Sequence, residues 1–381
     1  MKRAVVIVLD GCGAGEAPDA ALFNDLDHPA TIKHVWEQVG PLQLPNLQAV
    51  GFLSACGIDI PAMGILGHLN SRFGRMRELS MGKDSVTGHW EMMGIVTEVP
   101  FPTYPNGFPE DLVSAFEHRI GVQIIGNKPA SGTQIITDLG PEHMATGKPI
   151  LYTSADSVFQ VACHEGIVPL QRLYEICEIG RELCQGQNNV QRVIARPFVG
   201  DASSGFKRTE NRKDYPLVAP PNLVDKVGDV FGIGVIPELF GSRGFQTVKR
   251  TQNNAEHEVM LWKALESDAR FIFANFEDFD MLYGHRNDPI GFGKALEAFD
   301  VTLGKILDHL QDDDLLILTA DHGNDPTSTS TDHSREYVPI VAIGRDLESK
   351  SLGDLSGMAT VGATVADHLG IQWPVGTSAL R

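Results

Sequence analysis

The stretch LLILTADHGNDPTSTSTDHSREYVP, residues 315–339, decides the fold. Its first seven residues, LLILTAD, are apolar until the last, as a strand covered on both faces should be. The run ends in Asp321 and His322, and Asp325, Asp332 and His333 follow before VPIVAIG (338–344) starts a second apolar run. A loop in water needs charge, but it does not need so many side chains able to bind a metal. The stretch therefore predicts a buried strand that delivers a ligand-rich loop to one edge of a sheet.

Working outward, RAVVIVLD (3–10) and FIFANF (271–276) are further apolar runs of strand length. FGKALEAFDVTLGKILDHL (292–310) has apolar residues at helical spacing, and so does GATVADHLG (362–370), which ends at a glycine suited to a helix C-terminus. Short buried strands alternating with amphipathic helices predict an α/β fold with a largely parallel sheet flanked by helices. The middle of the chain differs. VPFPTYPNGFPEDL (99–112) and ENRKDYPLVAPPN (210–222) are rich in proline and loop residues. Between them QIIGN, PILYTSA and VQRVIARPF read as strands, and LVSAFEHRIG and LQRLYEICEIGRELC as helices. We expect an α/β domain over 99–215 inserted into a discontinuous one formed by 1–98 and 216–381.

Composition narrows the partners. Forty-nine acidic against 31 basic residues give a formal charge of −18, which opposes nucleic acid and anionic membranes. The expected partner is a small molecule, with basic residues gathered where an anion binds, and no obligate protein partner is evident. The basic then apolar start, MKRAVVIVLD, is too short for a signal peptide and is interrupted by Asp10. No run approaches the ~18 apolar residues of a membrane span. Five cysteines (12, 56, 163, 177 and 184) without a CxxC pair suit reduced, buried thiols and a cytoplasmic location.

Asp10 ends the first apolar run, Asp280 follows FIFANFEDF, and Asp321 ends LLILTA. Ligands of open α/β sheets sit at the carboxyl ends of strands. Three carboxylates brought to that edge would repel one another without a cation between them. His285, His322 and His333 accompany them, and mixed carboxylate and imidazole donors suit Zn²⁺ or Mn²⁺ better than Ca²⁺ or Mg²⁺. The donors are enough for two ions. The other histidines (28, 34, 68, 118, 143, 164, 257, 309 and 368) read as surface or packing residues. In MGKDSVTGHWEMMG (81–94), Ser85 stands near the start of a helix, where free N–H groups would attract a phosphoryl group. It reads either as a nucleophile activated by metal or as a helix N-cap, and Thr87 is the rival hydroxyl.

Together VIVLDGCGAGEAPDA, GKDSVTGHWEMMG, IGNKPASGTQII, YTSADSVFQVACHE, RVIARPFVG, DFDMLYGHRNDP, TADHGNDP, TDHSREYVP and VGATVADHLG resemble the phosphopentomutases of the alkaline phosphatase superfamily, over nearly the whole chain. The resemblance implies an alkaline-phosphatase-like core with the inserted α/β domain as a cap. It implies one metal held by Asp10, Asp321, His322 and the Ser85 hydroxyl, and a second held by Asp280, His285 and His333. The family commonly uses Mn²⁺, with Zn²⁺ or Mg²⁺ as alternatives, and the resemblance suggests a sugar bisphosphate activator such as glucose 1,6-bisphosphate. Ser85 stands where the family usually has threonine. Ser154 and Asp156 match positions that contact the pentose, and Arg192 one that contacts its phosphate. Val235 stands where a phosphate-binding lysine is usual, with Lys207, Arg208 and Arg212 nearby in sequence as replacements.

The expected reaction interconverts ribose 1-phosphate and ribose 5-phosphate, or the 2-deoxyribose compounds, through phosphoserine 85. Competing readings are a related phosphomutase or phosphatase acting on another phosphosugar, and a non-catalytic sugar-phosphate binding protein.

Overall fold

A computed structural model describes residues 2–60, 69–154, 156–246 and 250–381; His68 lies outside them. In chain order its strands are β1 (Arg3–Leu9), β2 (Asn70–Arg77), β3 (Ile125–Pro129), β4 (Ile150–Thr153), β5 (Val158–His164), β6 (Arg192–Asp201), β7 (Gly205–Arg208), β8 (Lys213–Pro216), β9 (Phe231–Ile233), β10 (Phe271–Phe276), β11 (Asp314–Thr319), β12 (Tyr337–Gly344) and β13 (Lys350–Ser356). They divide between two compact units, residues 1–99 with 219–381, and residues 100–218.

The first unit is built on a seven-stranded sheet in the order β13-β2-β12-β11-β1-β10-β9. Only β12 runs against its neighbours. At the centre, Ala4 to Leu9 of β1 and all of β10 and β11 are buried, because helices cover both faces. Register decides where their ends fall. Val8 of β1 lies beside Asn275 of β10 and Thr319 of β11. Asp10 and Asp321, each two residues further on, therefore leave the sheet at one level. Asp280 follows five residues after Asn275, in a single wide helical turn, Phe279–Tyr283.

Flanking helices form where the pattern places them. Pro289–His309 buries Phe292, Leu296, Phe299, Leu303 and Ile306 on one stripe. Its N-cap Asp288 accepts from the Gly291 N–H at 2.8 Å. Thr360–Leu369 stops at Gly370, whose φ of 70° is the left-handed conformation that ends helices. Three strands of this sheet, β2, β9 and β13, have no clear apolar signature: β2 is NSRFGRMR, β9 has three residues, and β13 is mostly exposed. They are strands because of what they pair with.

The second unit has a sheet in the order β3-β4-β5-β6-β7, with β8 also on β6. Alternation along its strands feeds two cores. Leu151, Val161 and Val193 pack with Phe116 of helix Glu110–Ile120 and Leu173 of helix Leu170–Leu183. Ile150, Tyr152, Ala162 and Phe198 pack with Ile135 of helix Gly132–Thr146. That last helix carries Pro141 in its interior, which hides it from a reading of sequence. All five cysteines are free and buried. Among the described residues no helix is long and apolar enough to cross a membrane.

Candidate metal centre and nucleophile

The strand ends of the first unit gather two overlapping groups of metal-capable side chains, Asp10, Asp321 and His322, and Asp280, His322 and His333. His322 Nε2 lies 3.5 Å from Asp10 Oδ1 and 3.2 Å from Asp321 Oδ2. His333 Nε2 lies 3.6 Å from Asp280 Oδ1, and His285 Nε2 lies 3.1 Å from Asp280 Oδ2. All six residues of the expected carboxylate and imidazole set thus converge. His322 borders both groups rather than one.

The electrostatics show that the cluster suits a cation. All three carboxylates are buried. Burial, and then the charges of Asp321 and Asp280, push Asp10 well above the usual carboxylate range. Burial opposes the Asp321 charge, yet the neighbouring His322 holds that carboxyl below its ordinary value. Burial likewise opposes charge on Asp280, and its histidine neighbours bring it down to about 2. His322 is pushed well up against burial by Asp321, Asp10 and Asp280. Asp10 Oδ1 and Asp321 Oδ2 are buried and accept no hydrogen bond. Buried oxygens in that state are costly unless a positive ion or donor meets them, so the donor set fits divalent metal.

Outer contacts aim these groups. Asn275 donates to Asp10 Oδ2 at 2.6 Å, the Gly11 N–H to Asp321 Oδ1 at 3.1 Å, and Asn324 to Asp280 Oδ1 at 2.6 Å. His285 Nδ1 donates to the Thr331 carbonyl at 2.6 Å, which leaves Nε2 facing Asp280. Asp325 and Asp332 do not join the cluster. Asp325 takes His34 Nδ1 at 2.5 Å and the Thr327 N–H at 3.0 Å, so it shapes the loop. Asp332 pairs with Lys83 at 3.2 Å. His34, which sequence groups with the packing histidines, is thus a loop anchor.

Ser85 is the first residue of helix Ser85–Met92, and its Oγ lies 3.2 Å from His322 Nε2. The N-cap is Asp84, not Ser85. Its carboxylate accepts from the Val86 N–H at 2.9 Å and the Thr87 N–H at 3.2 Å. Those N–H groups are therefore satisfied within the cap, which corrects the expectation that they are free for a phosphoryl group. Thr87 is buried and closes the capping box, its Oγ1 accepting from the Asp84 N–H at 3.3 Å and also donating to the Asp84 carbonyl at 2.9 Å. The rival hydroxyl is committed to the helix, and Ser85 is the one turned to the carboxylate and imidazole cluster. Gly88 explains how the helix comes so close: a Cβ there would stand 2.2 Å from the Asp321 carbonyl oxygen.

In the second unit, Ser154, Asp156, Arg192 and Arg208 line one pocket of about 170 Å³, together with Arg196 and Arg212. Arg196 donates to Gln160 at 3.1 Å, and Arg212 to Asp214 at 2.6 Å. Burial, then Arg212, lowers Arg196 to about 10. Four guanidinium groups around so small a volume attract an anion. Arg196 is the member that sequence reasoning missed, although it stands four residues after Arg192 on the same strand, and so on the same face. Lys207 is exposed on β7 and does not line the pocket. Val235 is half-buried beyond β9, where its N–H bonds to Glu277.

Comparison with known proteins adds to this geometry. A family model described as the Metalloenzyme superfamily matches residues 2–373. A phosphopentomutase of Carboxydothermus hydrogenoformans is 48% identical, over 99% of this chain and 98% of that one. One of Dictyoglomus thermophilum is 48% identical, over 98% of this chain and 96% of that one. Among solved structures, the PH0037 protein of Pyrococcus horikoshii is 16% identical with a TM-score of 0.49, covering 99% of both chains. From the full-length match to the phosphopentomutases and the metalloenzyme model, it follows that the chain belongs to the phosphopentomutase family and is a metal-dependent phosphomutase.

Proposed function

We propose that the enzyme interconverts ribose 1-phosphate and ribose 5-phosphate, with 2-deoxyribose phosphates as further substrates, through phosphoserine at Ser85. The observation that carries this reading is the Ser85 hydroxyl, 3.2 Å from His322 Nε2 and free of the helix cap. Asp10, Asp321, His322 and Ser85 would hold one divalent ion, and Asp280, His285 and His333 the other, with Mn²⁺ the proposed metal. Bound there, the ions would supply charge for the attacking and leaving oxygens of an in-line phosphoryl transfer and lower the pKa of the serine hydroxyl.

The chain's own groups would do the rest. The resting enzyme carries phosphoserine. The free hydroxyl of the sugar phosphate bonds to phosphorus as the Ser85 Oγ–P bond breaks, and the proton it gives up goes to the departing Oγ. The resulting bisphosphate turns, and Ser85 Oγ takes the other phosphoryl group as the sugar O–P bond breaks, its proton passing to the sugar oxygen. Arg192 and Arg208, in the pocket with Ser154 and Asp156, would bind the phosphate that is not reacting. Their forked geometry matches two oxygens at once. We assign to the second unit, the proposed cap, the exclusion of water, since hydrolysis of phosphoserine would make a phosphatase. Glucose 1,6-bisphosphate would prime Ser85. Five free, buried thiols support a reducing, cytoplasmic setting.

The test is incubation with ribose 5-phosphate, Mn²⁺ and a trace of glucose 1,6-bisphosphate. The expected product is ribose 1-phosphate. Release of inorganic phosphate without it would instead make the enzyme a phosphatase, and turnover only with hexose phosphates would move the substrate class.

A further inference from the structure

Residues 78–84 lead from β2 to Ser85 with no helix or strand of their own. Several of their N–H groups are held by residues close in sequence, that of Met81 by the Thr97 carbonyl at 2.7 Å. Glu91, on the same helix as Ser85, accepts from Leu79 at 2.9 Å and from Ser80 at 2.6 Å. Their carbonyls are held from elsewhere. Arg335 Nη1 donates to the carbonyls of Ser80 at 2.9 Å and Gly82 at 2.6 Å, and Nη2 to that of Glu78 at 2.8 Å. Nη1 also meets Glu78 Oε2 at 2.7 Å, so its two N–H groups are shared among three acceptors, and Nη2 and Nε meet Asp19 at 2.9 and 3.2 Å. This guanidinium is 1% exposed. Arg335 stands two residues after His333, a candidate metal ligand. Its own N–H donates to Asp25, whose other oxygen takes Lys83 Nζ at 2.9 Å.

We propose that Arg335 is a positioning residue that sets the Ser85 oxygen against the metal-binding loop. It ties three carbonyls of the nucleophile turn directly to the backbone that carries His333. The turn's other anchors do not do this: Glu91 belongs to the nucleophile's own helix, the Met81 N–H donates to the Thr97 carbonyl, and Lys83 reaches Asp332 of the loop only through a side-chain ion pair at 3.2 Å, with Asp332 largely exposed. Arginine is required for its shape. A lysine keeps the charge but has three donors on one nitrogen, too few and too close together to reach carbonyls at both Glu78 and Gly82 as well as two carboxylates. The inference rests on Ser85 as the phosphoryl carrier.

The experiment compares the wild type, Arg335→Lys, Asp19→Asn and Arg3→Lys, assayed with ribose 5-phosphate, Mn²⁺ and glucose 1,6-bisphosphate, with melting temperature and metal content measured in parallel. Arg3 is the control, a forked arginine on Asp314 at the far end of β1. Arg335→Lys should lower kcat roughly 10- to 100-fold, the effect of misplacing a reacting atom by about 1 Å, with KM within about twofold and two metals retained. Arg3→Lys should lower the melting temperature and leave kcat unchanged. A folded Arg335→Lys with wild-type kcat overturns the proposal, as does a kcat loss shared equally by Arg3→Lys. If Arg335→Lys does not fold, Asp19→Asn decides, because it loosens one prong of the fork. A kcat drop of about threefold or more supports the proposal, and an unchanged kcat overturns it. A wild type inactive in this assay refutes the ribose phosphate reading itself.

Discussion

Ser85 and Thr87 stand two residues apart with the same functional group, and the helix cap separates their roles. Thr87 spends its hydroxyl on Asp84, while Ser85 turns its own toward His322. Ser85→Ala should therefore reduce turnover by at least about a thousandfold, with melting temperature and metal content near those of the wild type, and intact mass should show no phosphoryl adduct. A second residue-scale consequence lies at Glu277. Burial raises its pKa to about 7, and its Oε1 is unpartnered, 3.8 Å from the buried His257 Nε2. A carboxyl raised in the folded state keeps its proton where the unfolded chain, with an ordinary value near 4.5, has lost it. Its contribution to stability is thus complete below about pH 4.5 and lost as pH rises through about 7. Glu277→Gln should flatten the fall in melting temperature across that window and raise it at pH 8. Thermal melts from pH 5 to 8 would show this, and an unchanged slope would count against a raised Glu277.

At the scale of elements, the approach of helix Ser85–Met92 to the end of β11 controls the site. Gly88 meets the backbone of Asp321, and backbone does not rotate aside as a side chain does. Gly88→Ala gains helix propensity of up to about 1 kcal/mol in isolation. Here the added methyl should push the helix off β11 and take Ser85 away from His322. We expect a net destabilisation of about 1–3 kcal/mol, in line with other overpacked sites, and a fall in kcat of about a hundredfold or more. Denaturant melts and turnover would check both. A stabilised, fully active variant would mean that the helix has room to move.

For the whole molecule, charge is unevenly arranged. The chain carries a formal −18, yet its second unit collects four arginines around one small pocket. The first unit does the reverse and buries three aspartates together at its strand ends. That arrangement ties folding to metal. A ligand bound only by the folded state stabilises it by about 4 kcal/mol at a thousandfold excess over Kd. Removing metal with EDTA should lower the melting temperature by several degrees, and Mn²⁺ should restore it. An unchanged melt after chelation, with metal loss shown by elemental analysis, would argue that the carboxylates are settled by histidine alone.

Much of this was legible in the chain itself. β1, β10, β11 and β12 are readable because strands buried on both faces must be apolar along their length. The metal-capable residues stand out because acids and imidazoles at the ends of such strands have no packing role to explain them. Strands β2, β9 and β13, at and next to the sheet's edges, were not legible, since pairing rather than composition makes them strands, and helix Gly132–Thr146 was hidden by Pro141. Sequence left Ser85 open between cap and nucleophile, and it could not say that Asp84 would take the cap, that His322 would border both acidic groups, or that Arg335 would grip the nucleophile turn. The cap is settled within three residues by backbone geometry, but the His322 and Arg335 contacts join residues far apart in sequence, 316 positions for Arg335 and Asp19, and only the closing of the sheet brings such partners within hydrogen-bond reach.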